Sequence, residues 1–141
     1  LSFLNNSFKN LRSHPEVTES FRILSKKFRL VTLTNGSRNV TRQLLIKNKI
    51  SDFVDICFSV DEVKKWKPFP APYIHVCKEL KNKPSECLMV AAHGWDVNGA
   101  KNIGMRTAYV KRYEKKLNEK YLKPDLIGEN LLDITNQIIS I

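Results

Sequence analysis

Three short stretches of this chain bring reactive side chains to the ends of apolar runs. They are Thr34-Asn35-Gly36-Ser37 after residues 30–33, Lys67 in the W-K-P step from Trp66 to Pro68, and His93-Gly94-Trp95-Asp96 after residues 87–92. A hydroxyl, a carboxamide, an ammonium, an imidazole and a carboxylate, with backbone N–H groups at a helix start, suit an anion or a developing negative charge. Each has a plainer use. T-N-G-S is a turn with a helix cap, W-K-P suits a solvent-facing lysine, Asp96 in a first helical turn serves the helix dipole, and His93 packs in a loop. Their co-occurrence in this order is more specific than any one of them. Met89 to Gly99, M-V-A-A-H-G-W-D-V-N-G, reads as the tip of a buried parallel strand turning into a helix, where open α/β sheets hold their chemistry.

The elements that must position these groups follow from the apolar spacing. Pro15 opens a helix in which Val17, Phe21, Leu24 and Phe28 form one stripe. Residues 30–33 form a buried strand, and Ser37 caps a second helix carrying Val40, Leu44 and Leu45. Residues 53–60, F-V-D-I-C-F-S-V, predict the next strand. Pro68, Pro70 and Pro72 punctuate the loop after it, and Tyr73, Ile74, Cys77 and Leu80 mark a third helix. Residues 87–92 are the most apolar strand, followed by a helix from about Trp95 to Gly104, a suitable residue just past a helix end. A strand over 107–110, a charged connector over 111–123, a short strand over 126–128 and a closing helix with Leu131, Leu132, Ile134, Ile138 and Ile139 complete the chain. Such alternation predicts an α/β fold, a parallel sheet flanked by helices on both faces.

Composition narrows the function classes. A chain of 141 residues suits one domain that buries about two thirds of its unfolded surface. Apolar content of 42% and charged content of 27% are those of a soluble globular protein, and no apolar run approaches the ~20 residues of a membrane helix. Leu1-Ser2-Phe3-Leu4-Asn5-Asn6 lacks the pattern of a signal peptide and reads as an interior segment of a longer chain. Cys57, Cys77 and Cys87 are odd in number and lack C-x-x-C spacing, so free buried thiols and a cytoplasmic location are expected. A formal charge of +10 would admit a nucleic-acid partner. The basic residues, including Lys26-Lys27, Lys64-Lys65 and Lys115-Lys116, are spread out without interleaved aromatics or a recognition signature, so a small anionic substrate is the better expectation.

Taken together, L-T-N-G-S from Leu33, F-V-D from Phe53, S-V-D-E-V from Ser59, Lys67-Pro68 and A-A-H-G-W-D-V-N-G-A-K-N-I-G-M-R-T-A-Y-V from Ala91 resemble the haloacid dehalogenase superfamily. Within it the chain is most similar to the L-2-haloacid dehalogenases, over about Pro15 to the C-terminus. The resemblance implies that Thr34 hydrogen-bonds the substrate carboxylate or the nucleophile, and that Asn35 helps bind substrate or departing halide. It implies that Lys67 neutralises and positions a nucleophilic aspartate, that Asp96 orients this lysine and the hydrolytic water, and that Trp95 walls the pocket. Ala91, Ala92 and His93 replace the S-S-N of the dehalogenase pattern S-S-N-x-W-D; His93 keeps a hydrogen-bond donor and a proton carrier there. The superfamily's phosphatases resemble G-D-x-x-x-D, whose first acid helps bind Mg²⁺. Counting back four residues from Asp96 lands on Ala92, so no metal or other cofactor is expected.

The larger departure is an absent motif. The family resembles an apolar strand ending in D-x-[DYF]-G-T, whose aspartate is the nucleophile, followed by a helical cap. Asp52, Asp55, Asp61 and Asp125 do not stand in that context. Loss of a nucleophile lowers turnover by as much as roughly six orders of magnitude, so this chain alone is expected not to dehalogenate. The resemblance places the absent strand mid-sheet, between the strands of residues 30–33 and 87–92. With strands about 4.8 Å apart, a gap of about 10 Å lined by unpaired backbone groups is expected. An N-terminal segment or a second copy would complete the sheet, or the strands would re-pair.

The expected architecture is therefore a core over residues 15–141 lacking its N-terminal central strand and most of its cap, with residues 1–14 a remnant of the cap or its linker. Two functions are expected. One is an (S)-2-haloacid dehalogenase-like hydrolase, displacing halide from a 2-haloacid through an aspartyl ester on an aspartate supplied from elsewhere. The other is a catalytically dead remnant serving as an interaction module; a phosphatase is disfavoured.

Overall fold

The computed structural model of the chain describes Ser7, residues 10–114 and residues 116–141. Most of the expected cap or linker segment over residues 1–14, and Lys115 of the third basic pair, lie outside the described residues. Helix α1 (Val17–Leu24) is followed by β1 (Val31–Thr34), α2 (Arg38–Lys47) and β2 (Ile56–Ser59). Then come α3 (Pro70–Glu79), β3 (Leu88–Ala91), α4 (Gly94–Asn102), β4 (Arg106–Val110), β5 (Leu126–Gly128) and α5 (Leu131–Ile139). No helix among the described residues is long and apolar enough to cross a membrane.

All strand pairs are parallel, yet they form two sheets. One holds β1 and β2, with Val31 opposite Ile56 and Thr34 opposite Ser59. The other runs β3-β4-β5, with Leu88 opposite Arg106 and Ala108 opposite Leu126. Strands β1 and β3 are not hydrogen-bonded to each other. The expected discontinuity is therefore present, and these strands do not re-pair across it.

Side chains carry what the backbone does not. On one face Leu33 of β1 and Met89 of β3 pack against the same buried cluster, Tyr73, Cys77, Ala100 and Met105, contributed by α3, α4 and the turn after α4. On the other, α5 drives Ile134 between Ala108 and Val110, with Leu88, Val90 and Leu126 around it. Helix α1 lies against α5. Glu16, just before α1, pairs with Arg112 and lies 3.5 Å from the Leu131 N–H. Burial opposes that charge, but the backbone N–H groups and Arg112 hold the Glu16 carboxyl below its ordinary value of 4.5.

Boundaries differ from the sequence reading where local chemistry competes with apolar pattern. Phe53 closes a turn of 3₁₀ helix (Ser51–Phe53), and the strand starts only at Ile56. Ser59 then accepts from the Asp61 N–H while Glu62 reaches back to the Ser59 N–H, a capping box that ends the strand at Ser59. Helix α1 stops at Leu24, so Phe28 falls outside its stripe and stays 48% exposed. Helix α4 ends as expected near Gly104, whose φ of 88° is the left-handed conformation that glycine adopts without strain. The three cysteines are free; Cys77 is buried, and Cys57 and Cys87 are half-buried. Burial, with Cys87 beside it, pushes the Cys77 thiol up to about 12, so it is an inert packing group.

Candidate active site

Parallel strands all present their carboxyl ends on one edge, and the candidate residues collect there. Thr34 is the last residue of β1, Asn35 and Gly36 form the turn beyond it, Lys67 precedes α3, and His93 to Asp96 enter α4. Ser37 caps α2 through the Val40 N–H, and Ser59 Oγ donates to the Gly36 carbonyl at 2.8 Å, so the T-N-G-S turn is held from both sides.

At the centre, Lys67 Nζ donates to Asp96 Oδ2 at 2.6 Å, and each side chain is 8% exposed. The second carboxylate oxygen, Oδ1, accepts from the Tyr73 hydroxyl at 2.6 Å. A buried ion pair loses much solvation and is tolerated when its remaining lone pairs are satisfied, as they are here. Burial and then the Asp96 carboxylate push the Tyr73 hydroxyl well above its ordinary value, so it stays a neutral donor. The Lys67 charge is thus held in place before any ligand arrives, with two of its three N–H bonds not used by Asp96.

Asn35 holds the lysine by its backbone. Its Oδ1 accepts from the Lys67 N–H at 2.9 Å and its Nδ2 donates to the Lys67 carbonyl at 3.3 Å. This clamp shapes the turn at the cis Lys67-Pro68 bond. Helix α4 approaches that turn closely at Gly99, where a Cβ would lie 2.8 Å from Pro68 Cβ and from the Tyr73 hydroxyl. The network therefore runs from the tip of β1, through Asn35, Lys67 and Asp96, to the tip of β3. It spans the discontinuity between the two sheets at their carboxyl edge.

Thr34 Oγ1 accepts from the Gly36 N–H at 2.9 Å, leaving its hydroxyl proton for another partner. Lys67 Nζ lies 5.8 Å from the Trp95 ring centroid, within cation–π range. His93 stands apart from the ion pair: it is 49% exposed in its side chain, stacks with both Trp95 and Tyr113, and its Nδ1 lies 3.9 Å from Glu114 Oε1. The structure thus brings Asn35, Lys67, Trp95 and Asp96 together, with His93 stacked on Trp95 and Thr34 at the β1 tip.

Two residues were not singled out in the sequence. In the sequence Tyr73 reads as a mark of the apolar face of α3, and nothing in its spacing points to Asp96. Glu114 lies in the charged connector. Nothing local indicates that its carboxylate accepts from the Gly94 N–H at 3.1 and 3.0 Å and caps α4.

Among the described residues no group of three or more His, Cys, Asp or Glu side chains is arranged to hold a metal ion. Both oxygens of Asp96 are taken by Lys67 and Tyr73, and Ala92 brings no oxygen donor beside it. This donor set does not fit Mg²⁺, which takes hard oxygen ligands.

With this geometry in hand, comparison with known proteins is decisive for the family. A family model described as haloacid dehalogenase-like hydrolase matches residues 3–110. The chain belongs to that family. Relatives among haloacid dehalogenase-like hydrolases include (S)-2-haloacid dehalogenase 1 of Pseudomonas sp. (strain CBS-3), 31% identical over 79% of this chain and 50% of the relative. The (S)-2-haloacid dehalogenase of Xanthobacter autotrophicus is 29% identical over 96% of this chain and 51% of its own length. Pyrophosphatase PpaX of Bacillus cereus (strain G9842) is 30% identical over 88% and 58%. The chain spans about half the length of the dehalogenase relatives. Its fold is that of the Xanthobacter autotrophicus L-2-haloacid dehalogenase solved with chloropropionic acid covalently bound, at a TM-score of 0.91 and 24% identity over 99% of this chain and 67% of that one. The 2-haloacid dehalogenase from Pseudomonas syringae pv. Tomato matches with a TM-score of 0.84 and 26% identity over 99% and 58%.

Proposed function

We propose that this chain supplies the lysine–aspartate half of a 2-haloacid dehalogenase site, and that an extended segment between β1 and β3 supplies the nucleophilic carboxylate. The observation that carries the reading is the buried Lys67–Asp96 pair at the carboxyl edge, beside β1 and β3, two strands of separate sheets that each have a hydrogen-bonded neighbour on one side alone. A strand placed there would end next to a fixed ammonium. Supporting this, every residue of β1 and β3 is only half-buried, although β3 is the more apolar sequence. Thr32 Oγ1, in the middle of β1, is buried without a hydrogen-bond partner among the described residues.

The chemistry follows from charge. The carboxylate attacks the halogen-bearing carbon, halide leaves with the bonding pair, and an ester forms; water then cleaves the ester and restores the carboxylate. Lys67 balances the charge of the nucleophile before attack, and Asp96 and Tyr73 keep the ammonium aimed. Thr34, through its unused hydroxyl proton, binds the substrate carboxylate. Asn35 positions Lys67 beside the departing halide. Trp95 covers the site against bulk water, and His93 exchanges hydrogen bonds with water at the pocket mouth.

The test is halide release from L-2-chloropropionate by the folded chain, with and without an added N-terminal segment ending in an aspartate. Release only with the segment is expected; none in either case, from folded protein bound to the segment, leaves the chain a catalytically dead interaction module. A second reading, phosphate release, is favoured only by the pyrophosphatase relative. Mg²⁺-dependent phosphate release from pyrophosphate by the same chain and segment would replace the dehalogenase reading.

A further inference from the structure

His93 is held in a plane by its neighbours but not told which way round to sit. Its ring stacks on Trp95 at 5.8 Å with 14° between planes, and on Tyr113 at 5.2 Å with 20°. Stacking of this kind is unchanged when the ring turns over by half a revolution, which exchanges Nδ1 with a carbon. The last torsion of histidine is two-fold, so stacking leaves both orientations open. Only a group at the ring edge decides between them.

That group is Glu114. Its carboxylate accepts the Gly94 N–H, and its Oε2 accepts the Tyr109 hydroxyl at 3.2 Å. The α4 N-terminus, where positive partial charge gathers, therefore pins it. Leu117 and Tyr121 close over the same spot: a Cβ on Gly94 would lie 2.8 Å from Glu114 Oε2 and Leu117 Cδ2 and 3.2 Å from Tyr121 Cε2. Burial and the adjoining Glu114 raise the Tyr109 hydroxyl, so it donates as a neutral phenol. From this fixed seat Glu114 Oε1 faces His93 Nδ1 at 3.9 Å.

We propose that Glu114 is the positioning residue of His93, selecting the ring orientation and the tautomer in which Nδ1 carries the proton and Nε2 is left as an acceptor. The role rests on His93 belonging to the proposed site, where an acceptor nitrogen takes a hydrogen bond from water. A carboxylate favours the tautomer that turns an N–H toward it, and the second nitrogen then takes the opposite role. Among the described residues, Glu114 lies near the ring's Nδ1, Tyr113 and Trp95 stack on the ring, and the Lys67 ammonium lies 5.8 Å from the Trp95 centroid. Glu114 touches no reacting atom; it acts through His93.

The experiment is long-range ¹H–¹⁵N correlation on the 141-residue chain at a pH where the imidazole is neutral. It needs neither substrate nor nucleophile, so its outcome is independent of whether halide is released. The Nδ1–H pattern is expected in the unchanged chain. In Glu114→Gln, which keeps an oxygen for the Gly94 N–H but removes the charge, the ratio of Nδ1–H to Nε2–H forms should fall by about threefold, the size expected for a half-exposed charged contact. Tyr109→Phe, which leaves the charge in place, should keep the original ratio. A predominant Nε2–H form in the unchanged chain overturns the proposal without any variant, and so does an unaltered ratio in folded Glu114→Gln.

Discussion

Strands β3 and β4 are neighbours in one sheet, yet they live in different environments. From Thr107 to Val110, β4 is 0 to 6% exposed except at Arg106, which opens it. Strand β3, Leu-Met-Val-Ala, has a more apolar sequence and no buried residue. The difference is position: β4 has a hydrogen-bonded strand on each side, whereas β3 has one on a single side, as does β1. Apolar sequence thus proposes burial, and in β3, with a strand on one side alone, it is only partly realised.

This contrast can be broken by mutation. Tyr109→Ala in β4 is expected to cost about 3–5 kcal/mol in chemical denaturation, the range for emptying a buried aromatic site. Nearly as large is Lys67→Met, at about 3 kcal/mol, because Asp96 would be left buried with one charge unbalanced; the double variant Lys67→Met/Asp96→Asn should recover part of it. Recovery by coupled change would show that the pair joins the two sheets as a unit, and strict additivity would count against that. Gly99→Ala should cost about 1–3 kcal/mol by pushing α4 off the Lys67-Pro68 turn, and hydrogen exchange would then rise in both α4 and α3.

Val90→Ala in β3 should cost only about 1 kcal/mol, since a half-exposed site loses less apolar area. Adding the complementing segment should raise that cost toward 2 kcal/mol or more, with no such change for Tyr109→Ala. Equal costs in β3 and β4 without the segment would end the comparison. The smallest effect is electrostatic. Glu16 is held below its ordinary 4.5, so its contribution is fully present above that pH and disappears as pH falls through the lower folded value. Glu16→Gln should therefore flatten the acid limb of thermal stability below pH 4.5 by under about 1 kcal/mol and leave the neutral range, where the lost pairing shows as a constant offset, without slope.

Much of the candidate site could be placed on one edge in advance because parallel strand tips gather there wherever strands and helices alternate. Thr34, Asn35, Lys67, Trp95 and Asp96 could be picked out from turn and strand-end context alone. Tyr73 was missed because an aromatic on an apolar helix face has a sufficient explanation in packing. Glu114 was missed for another reason: its partners, Gly94 and Tyr109, are distant or lie on another element, so no spacing rule reaches it. Among boundaries, the expected strand over residues 53–60 was shortened at both ends by 3₁₀ turns, the second of them held by the Ser59–Glu62 capping box.

What the sequence determined by itself is the order of elements, the strand tips where chemistry gathers, and the family to which the chain belongs, because these depend on local patterns of apolar and turn residues. Tertiary structure alone decided that Tyr73 takes the second oxygen of the Asp96 carboxylate, and that Asn35 grips the lysine backbone rather than standing free. It also decided that β1 and β3 belong to separate sheets, with a network of side chains linking them at their carboxyl edge. Such facts depend on contacts between residues far apart in the chain, and local pattern carries no record of them.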